Sequence, residues 1–206
     1  MTTTLWGRTS SINVRKVMLA LNEVQLPHER IDAGMHHGVV TGAEFMRKNP
    51  NAMIPLLEDG GVVLWESNVI VRYLCESYSA DLYPADRATR YEAEKWMDWQ
   101  QTTLNQASRP GFVQLIRLPP EQRDDAVVER SWQETHKCFG ILEALFASRP
   151  FAAGDRYSMA DIPLALEMQR WLGVPWRRTF RPHLQGWWER VLARPAAKGV
   201  LDLPLA

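Results

Sequence analysis

Residues 51–60 read Asn-Ala-Met-Ile-Pro-Leu-Leu-Glu-Asp-Gly, with a proline at position 55 inside an apolar, strand-like run. A proline cannot donate a hydrogen bond to a neighbouring strand, so a sheet accepts Pro55 only at an edge or at a special bend. In a bend with a cis peptide bond, the N–H and C=O groups of Ile54 would point outward and could pair with a peptide-like ligand. The alternative is an ordinary edge proline. The stretch therefore predicts a strand and leaves open whether the residues around Pro55 bind a ligand.

The segments on either side of this stretch predict an α/β arrangement. Asp59-Gly60 lies between two strand-like runs, Ile54–Leu57 and Val62–Trp65, which is a strong hairpin signal. Glu66 and Ser67 follow the second run and open a helix. The predicted order is βαβ and then ββα, judged from the hydrophobic periodicity of each segment. Its upstream members are a strand at Thr2–Trp6, a helix from Asn13 to Pro27, a strand at His28–Asp32, a Gly-rich loop over 34–42 and a short helix at Ala43–Lys48.

The second part of the chain shows only helical periodicity. It follows a polar segment, Ser79–Arg87, which is typical of a linker. Ser158 and Asp161 have the spacing of a helix capping box, and Pro163 predicts a bend near the start of that helix. The predicted fold class is therefore α/β followed by all-α, with one domain at residues 1–79 and a second at 87–206. The helical patterns cover Tyr91–Leu118, Glu121–Ser148, Ser158–Leu172 and Pro182–Ala193.

Composition and charge exclude several classes of function. The 206 residues carry 24 basic and 24 acidic side chains, so no net charge attracts nucleic acid or an anionic membrane. Cys75 and Cys138 form no CxxC motif, which argues against a disulfide framework, a zinc site and a dithiol redox centre. His36 and His37 are adjacent and do not share a face, so no metal is expected. The start lacks signal-peptide features and no apolar run could cross a bilayer, which favours a cytoplasmic protein.

Polar side chains at two predicted helix N-termini are the candidate functional groups. Ser10, Ser11 and Asn13 lie where the first helix starts, and there a hydroxyl can donate to an anion while the helix dipole lowers the pKa of a bound thiol. Glu66 could hold an ammonium group, and Ser67 with its helix N-terminus could hold a carboxylate. Simple N-capping explains each serine equally well. No His/Asp pair stands nearby to make any of these serines a hydrolytic nucleophile.

Taken together, these motifs resemble those of the cytosolic glutathione transferase family, over essentially the whole chain. The start of the chain is most similar to bacterial members whose active-site loop carries Ser, Thr or Asn. The resemblance implies a thioredoxin-like N-terminal domain, an all-helical C-terminal domain, and glutathione as co-substrate without a metal. Five motifs carry it: residues 7–17 (Gly-Arg-Thr-Ser-Ser-Ile-Asn-Val-Arg-Lys-Val), residues 49–55 (Asn-Pro-Asn-Ala-Met-Ile-Pro), Glu66-Ser67 before Ile70-x-x-Tyr73-Leu74, Ser158-x-x-Asp161, and Pro182…Trp187…Arg194-Pro195.

The resemblance implies a role in glutathione binding for several residues. Ile54, before a cis Pro55, would pair its backbone with the cysteinyl part of glutathione. Glu66 and Ser67 would hold the γ-glutamyl end. Met53 stands where several classes have a lysine near the glycyl carboxylate, and this departure leaves that anchor undefined. The residues that might replace the lysine are His36, His37 and Lys48.

The resemblance also implies a mechanism. Ser11, four residues before Arg15, matches the catalytic serine of the Ser-type classes, with Ser10 and Asn13 as alternates. Its hydroxyl would favour the glutathione thiolate, which would attack a small hydrophobic electrophile held against the helical domain. The electrophile pocket is expected to include Trp96, Trp99, Gln100 and Thr103, and the alternative for these four residues is core packing.

Two other functions and one assembly are compatible with the same motifs. The chain could be a glutathione-binding interaction module without turnover, or a glutathione-dependent reductase, dehalogenase or isomerase. The family resemblance implies a homodimer, with the N-terminal domain of one subunit against the helical domain of the other.

Overall fold

The computed structural model of the chain describes residues 2–205, and the chain divides between Tyr83 and Pro84 into two compact units. This division falls inside the segment Ser79–Arg87 that the sequence predicts as a linker. Met1 and Ala206, the outer ends of the two predicted domains, lie outside the described residues. Within residues 2–205, no helix combines the length and the apolar character needed to cross a membrane.

The first unit contains a four-stranded sheet in the order β2-β1-β3-β4. Strand β1 runs parallel to β2 and antiparallel to β3, and β3 runs antiparallel to β4. The predicted hairpin is confirmed, because Asp59 of β3 pairs with Val62 of β4 across the Gly60-Gly61 turn. The strands are β1 (Thr3–Trp6), β2 (His28–Ile31), β3 (Leu56–Asp59) and β4 (Val62–Trp65).

Three α-helices complete the first unit, with a short 3₁₀ segment at Met35–His37. The helices are α1 (Ile12–Glu23), α2 (Ala43–Lys48) and α3 (Ser67–Tyr78). Helices α1 and α3 pack against each other, and their apolar faces are fully buried at Val17 and Leu21 of α1 and at Ile70 and Leu74 of α3. The βαβ-then-ββα order is the thioredoxin-like arrangement that the sequence predicts.

The second unit is helical, as predicted. The predicted helix Tyr91–Leu118 is an unbroken helical stretch from Arg87 to Arg117, in which π-helical turns at Gln100–Leu104 and Val113–Arg117 interrupt the α-helical hydrogen bonding. π-helical turns of this kind are frequent at functional sites. The α-helices of the unit are α4 (Arg87–Trp99), α5 (Asn105–Phe112), α6 (Asp125–Ser148), α7 (Asp161–Gly173) and α8 (Pro182–Leu192).

The sequence predicts a bend at Pro163 because it places the start of this helix at Ser158, which is too early. Helix α7 begins at Asp161, so Pro163 is its third residue. N–H groups in the first turn have no acceptor within the helix, so a proline there costs no hydrogen bond. The capping interaction itself is confirmed, because the Asp161 carboxylate accepts a hydrogen bond from the Ser158 N–H at 3.0 Å. The conflict expected from the sequence therefore does not arise.

A buried polar network ties the long helical stretch to α7. The Glu167 carboxylate accepts hydrogen bonds from the Gln100 amide at 2.9 Å and from the Ser108 hydroxyl at 2.7 Å. Arg170 lies 3.3 Å from the same carboxylate and donates to the Asn105 side chain at 2.9 Å. The Glu167 side chain is fully buried. A buried charge is tolerated when it is paired and hydrogen-bonded in this way.

Candidate active site

Ser11 is the N-cap of α1 and is 9% exposed. Its hydroxyl oxygen accepts a long hydrogen bond of 3.5 Å from the Val14 N–H. The Ser11 N–H donates to the Arg8 carbonyl at 3.2 Å, which fixes the turn that precedes the helix. Among residues 2–205, no acceptor lies within hydrogen-bond distance of the Ser11 hydroxyl. The proton of this hydroxyl is therefore free to be donated to an incoming anion.

The Ile54–Pro55 peptide bond is cis, as the binding alternative requires. Strand β3 starts at Leu56, not at Ile54 as the apolar run suggests, so Ile54 lies outside the ladder. The Ile54 backbone makes no hydrogen bond to the described turns and loops. Pro55 is buried while Ile54 is half-buried. The backbone of Ile54 is thus available to an extended ligand at this edge.

The N-terminus of α3 carries the two residues expected to hold the γ-glutamyl end. Glu66 has φ +71°, a left-handed conformation that costs a non-glycine residue on the order of 1–3 kcal/mol. Its exposed carboxylate has no ion-pair or hydrogen-bond partner among residues 2–205. Ser67 is 4% exposed and is the first residue of α3. Strain of this kind persists where the surrounding structure imposes it, and it clusters at functional sites.

These three segments meet within the first unit. The Ser67 hydroxyl donates to the Asn13 side-chain carbonyl at 3.3 Å, which joins the N-termini of α1 and α3. At Gly7, the last residue before the Ser11 turn, an added Cβ would lie 3.3 Å from the Cβ of Ile54. The cis-proline loop therefore lies directly beside the β1–α1 loop. Asn13 accepts a hydrogen bond in this arrangement, and Ser10 is half-buried in the preceding turn.

The residues considered for binding the glycyl carboxylate of glutathione are uncharged or lie close to carboxylates of their own unit. Met53 is 68% exposed and offers no charge. Lys48 is 3.0 Å from the Glu58 carboxylate and 3.4 Å from that of Glu44, and these contacts raise its pKa. The His37 ring lies 3.9 Å from the Asp32 carboxylate. Lys48 is therefore paired with two carboxylates of its own unit, and its role toward the glycyl carboxylate stays a prediction, as do those of His36 and His37.

One residue near the site carries no sequence signal. Arg8 follows Gly7 in the β1–α1 loop, and its Nε is buried without a hydrogen-bond partner. Partial burial lowers the pKa of its guanidinium. An arginine in a loop is unremarkable in a sequence, since only three-dimensional placement shows whether a carboxylate faces it.

The four residues expected to contact the electrophile belong to the second unit. Trp96 and Trp99 of α4 pack edge to face with ring centroids 5.2 Å apart, and both are half-buried. Thr103 is exposed in the π-helical turn. Gln100 is fully buried and donates to Glu167, so its placement in the pocket is corrected: it belongs to the polar core of the helical unit. Local sequence patterns do not reveal this pairing because the two residues are 67 positions apart.

The remaining candidates do not form a further centre. Burial raises the pKa of the Cys75 thiol to about 12, which makes it unreactive, and burial also raises that of Cys138. The rings of His36 and His37 are 3.9 Å apart. Among the described residues, no group of three or more His, Cys, Asp or Glu side chains is arranged to hold a metal ion.

The fold and the site together define a thioredoxin-like unit that carries the candidate site, followed by a helical unit. The family described as Glutathione S-transferase, N-terminal domain, matches residues 1–76, and the family described as Glutathione S-transferase, C-terminal domain, matches residues 107–195. The chain belongs to the glutathione S-transferase family. The expected family, fold and glutathione S-transferase activity are thereby confirmed.

Individual relatives are similar in sequence to this chain over most or all of their length. Glutathione S-transferase GstB of Escherichia coli K12 is 42% identical over 206 residues, covering 98% of this chain and 99% of the relative. Glutathione S-transferase 3 of Zea mays is 34% identical over 210 residues, with 98% and 94% covered. A crystal structure of the theta class glutathione S-transferase from Xanthomonas axonopodis pv. citri with glutathione bound has a TM-score of 0.96 at 35% identity, covering 100% of this chain and 99% of that one.

Proposed function

We propose that this transferase activates glutathione through Ser11 and conjugates it to small hydrophobic electrophiles, without a metal, in the cytoplasm. The observation that carries the proposal is the free hydroxyl proton of Ser11, buried at the N-terminus of α1 and beside the cis-proline loop. The sulfur of a glutathione paired with the Ile54 backbone is proposed to lie near this hydroxyl. A hydroxyl there donates a strong, charge-assisted hydrogen bond to a thiolate and forms only a weak hydrogen bond with the protonated thiol, so it favours ionisation.

The Ser11 hydroxyl and the N-terminus of α1 can supply the free energy that is needed to stabilise the thiolate. Lowering a thiol pKa from about 8.5 to about 6.5 requires roughly 2.7 kcal/mol of preferential thiolate stabilisation. One hydrogen bond to a charged group supplies about 1.5–3 kcal/mol, and a helix N-terminus adds about 0.3–1 kcal/mol. Ser11 and α1 together are therefore sufficient, and neither a covalent intermediate nor a metal ion is needed for this step.

The γ-glutamyl end of glutathione is proposed to bind at the N-terminus of α3. The unpaired Glu66 carboxylate offers a counter-charge for the α-ammonium group. Ser67 and the first-turn N–H groups of α3 offer donors for the α-carboxylate. In the ligand-free arrangement the Ser67 proton points to Asn13, and rotation about its C–O bond redirects it to the carboxylate. Trp96, Trp99 and Thr103 are the proposed contributors to electrophile binding.

Replacing Ser67 by alanine tests this placement. Loss of a hydrogen bond to a charged group is expected to weaken glutathione binding by about 1.5–3 kcal/mol, or roughly 10- to 150-fold. Isothermal titration of the wild-type and Ser67→Ala proteins with glutathione measures this. Ser77→Ala, an exposed serine on the same helix, is the matched control and is expected to bind like wild type. Equal dissociation constants for all three proteins would contradict the γ-glutamyl assignment.

A homodimer is proposed as the assembled state. Strand β4 is at the sheet edge, and the side chains of Val62, Val63 and Trp65 are 38%, 42% and 37% exposed, with Val69 of α3 at 43%. An edge strand with exposed apolar side chains is normally covered by another chain. This surface supports an interface formed by the first unit, which the family arrangement would place against a partner's helical domain.

Light scattering is expected to give twice the 23.7 kDa chain mass at micromolar concentration. Val63→Lys places a charge on the exposed edge and is expected to shift the protein toward the single-chain mass. Val63→Thr keeps the shape of the same side chain without adding a charge, so it is the matched control and is expected to keep the two-chain mass. A wild-type mass of one chain would rule out the dimer.

A further inference from the structure

Arg8 is a cation without a partner in the described part of the chain. Its guanidinium makes no hydrogen bond and no ion pair with residues 2–205, and its Nε is buried. Two other cations of the first unit are paired with carboxylates. Arg30 pairs with Asp32 at 2.5 Å, and Lys48 pairs with Glu58 at 3.0 Å. Burial lowers the pKa of Arg8, and no acidic side chain offsets that effect.

The Arg8 guanidinium lies against the backbone of a glycine. Gly34 is buried with φ +85°, and a Cβ there would lie 2.9 Å from Nη1 of Arg8 and 3.3 Å from Cδ1 of Ile54. Both side chains therefore lie within van der Waals reach of the same point on the Gly34 backbone, whose positive φ favours glycine. The Arg8 carbonyl also accepts the Ser11 N–H at 3.2 Å. The Arg8 side chain therefore lies near that of Ile54, the residue proposed to pair with the cysteinyl group, and its backbone contacts Ser11, the residue proposed to activate the thiol.

The chemistry of the guanidinium selects its ligand. Its planar fork of N–H donors matches a carboxylate with two parallel hydrogen bonds. A half-buried guanidinium without such a partner loses hydration and gains no compensation. Of the other candidates in this unit for a carboxylate ligand, Met53 is uncharged and Lys48 is neutralised by Glu58. Arg8 is thus a partly buried, unpaired and permanently charged group next to the cis-proline loop, where an anion would satisfy it.

We propose that Arg8 binds a carboxylate of the bound reactants at the Gly34 edge of the site. This rests on the proposed function, since it requires glutathione on the Ile54 backbone. The carboxylate has two possible sources, the glycyl end of glutathione and an acid group on the electrophile. The first source makes Arg8 the replacement for the lysine missing at Met53, and the second makes it a specificity residue that favours acidic electrophiles.

Arg8→Gln tests the assignment in two arms, with Arg8→Lys and Arg130→Gln beside it. The first arm compares the dissociation constants of glutathione and of its glycine amide by calorimetry. The second compares kcat/KM for 4-chloro-3-nitrobenzoate and 4-chloro-3-nitrobenzamide, which differ only in the carboxylate. In one of the two arms, Arg8→Gln is expected to lower the affinity or the kcat/KM for the carboxylate-bearing compound about tenfold or more. The value for the matching amide is expected to stay unchanged. Arg8→Lys retains part of the effect because the charge remains, and Arg130→Gln, an exposed position on α6, behaves as wild type.

The two arms separate the sources, and a selective loss in either supports the proposal. The proposal would be overturned if the values for acid and amide changed equally in both arms or did not change. The proposed function would still stand in that case, provided that the wild-type protein binds glutathione. A wild-type protein that binds no glutathione would overturn both. Thermal unfolding checks the fold of each variant: without ligand, Arg8→Gln is expected to melt no lower than wild type, since it removes an unpaired buried donor.

Discussion

Replacing Asp161 by alanine is expected to lower the free energy of unfolding by about 3–5 kcal/mol, because it leaves buried donors without an acceptor. The fully buried carboxylate accepts hydrogen bonds from the Ala152 N–H at 2.9 Å, the Ser158 N–H at 3.0 Å, the Ser158 hydroxyl at 3.3 Å and the Trp187 indole at 2.9 Å. These bonds tie the start of α7 to the loop before it and to α8. Urea unfolding followed by tryptophan fluorescence and circular dichroism measures the change.

The matched control is Asp155→Ala, an exposed carboxylate in the same loop, and it is expected to unfold like wild type. Equal stabilities for the two variants would contradict the role of Asp161. Burial raises the pKa of Asp161 to about 6 from an ordinary 3.8. Because the pKa is raised in the folded state, folding favours the protonated form of Asp161. The stability that comes from this preference is complete below about pH 4 and is lost as the pH rises through 6. Wild type should therefore lose stability relative to Asp161→Asn, which stays uncharged, over this range.

Replacing Ser11 by alanine is expected to raise the pKa of bound glutathione by about one to two units, or roughly 1.4–2.7 kcal/mol. Turnover of an aryl halide at a pH below that pKa should fall about 10- to 100-fold, because the thiolate fraction falls in proportion. Glutathione affinity should change little, since Glu66, Ser67 and Ile54 hold most of the molecule. The pH profile of kcat at saturating glutathione measures the shift.

Helix capping has to be separated from hydrogen-bond donation in this experiment. Ser11 is also the N-cap of α1, and alanine there destabilises a helix by about 0.5–2 kcal/mol, whereas glycine costs only a few tenths. Ser11→Gly therefore removes the hydroxyl and largely keeps the cap, and it should shift the kcat profile as Ser11→Ala does. Ser10→Ala and Asn13→Ala are the neighbouring controls. A profile that moves with Asn13→Ala alone would transfer the role to Asn13.

Local sequence signals were sufficient for most of the fold. The Asp59-Gly60 hairpin, the start of α3 after Glu66 and the Ser158–Asp161 cap are all short-range patterns, and the structure contains each of them. Helix α7 shows where such reasoning fails at a boundary. Its start was set three residues early at Ser158, so a harmless first-turn Pro163 seemed to require a bend.

The site was predicted less completely because some of its properties depend on distant partners. Gln100 has helical spacing suited to a pocket, yet Glu167 on another helix holds it in the core. Lys48 is a candidate for anion binding in the sequence, and in the fold its ammonium group lies 3.0 Å from the Glu58 carboxylate of β3. Arg8 becomes a candidate only in the fold, where its guanidinium lies next to Gly34 and near Ile54 without a carboxylate partner among residues 2–205. Charge pairing across a sheet or between helices leaves no periodic trace in the sequence.

The central claim is that Ser11 stabilises the glutathione thiolate, and ultraviolet titration of the bound thiol tests it most directly. The thiolate absorbance of glutathione bound to wild type, Ser11→Ala and Ser11→Gly would be followed from pH 5 to pH 10. The account predicts a wild-type midpoint well below the value of about 8.5 for a free thiol, with both variants shifted upward by about one to two units. Superimposed curves for the three proteins would contradict it and leave Ser11 as a helix cap alone.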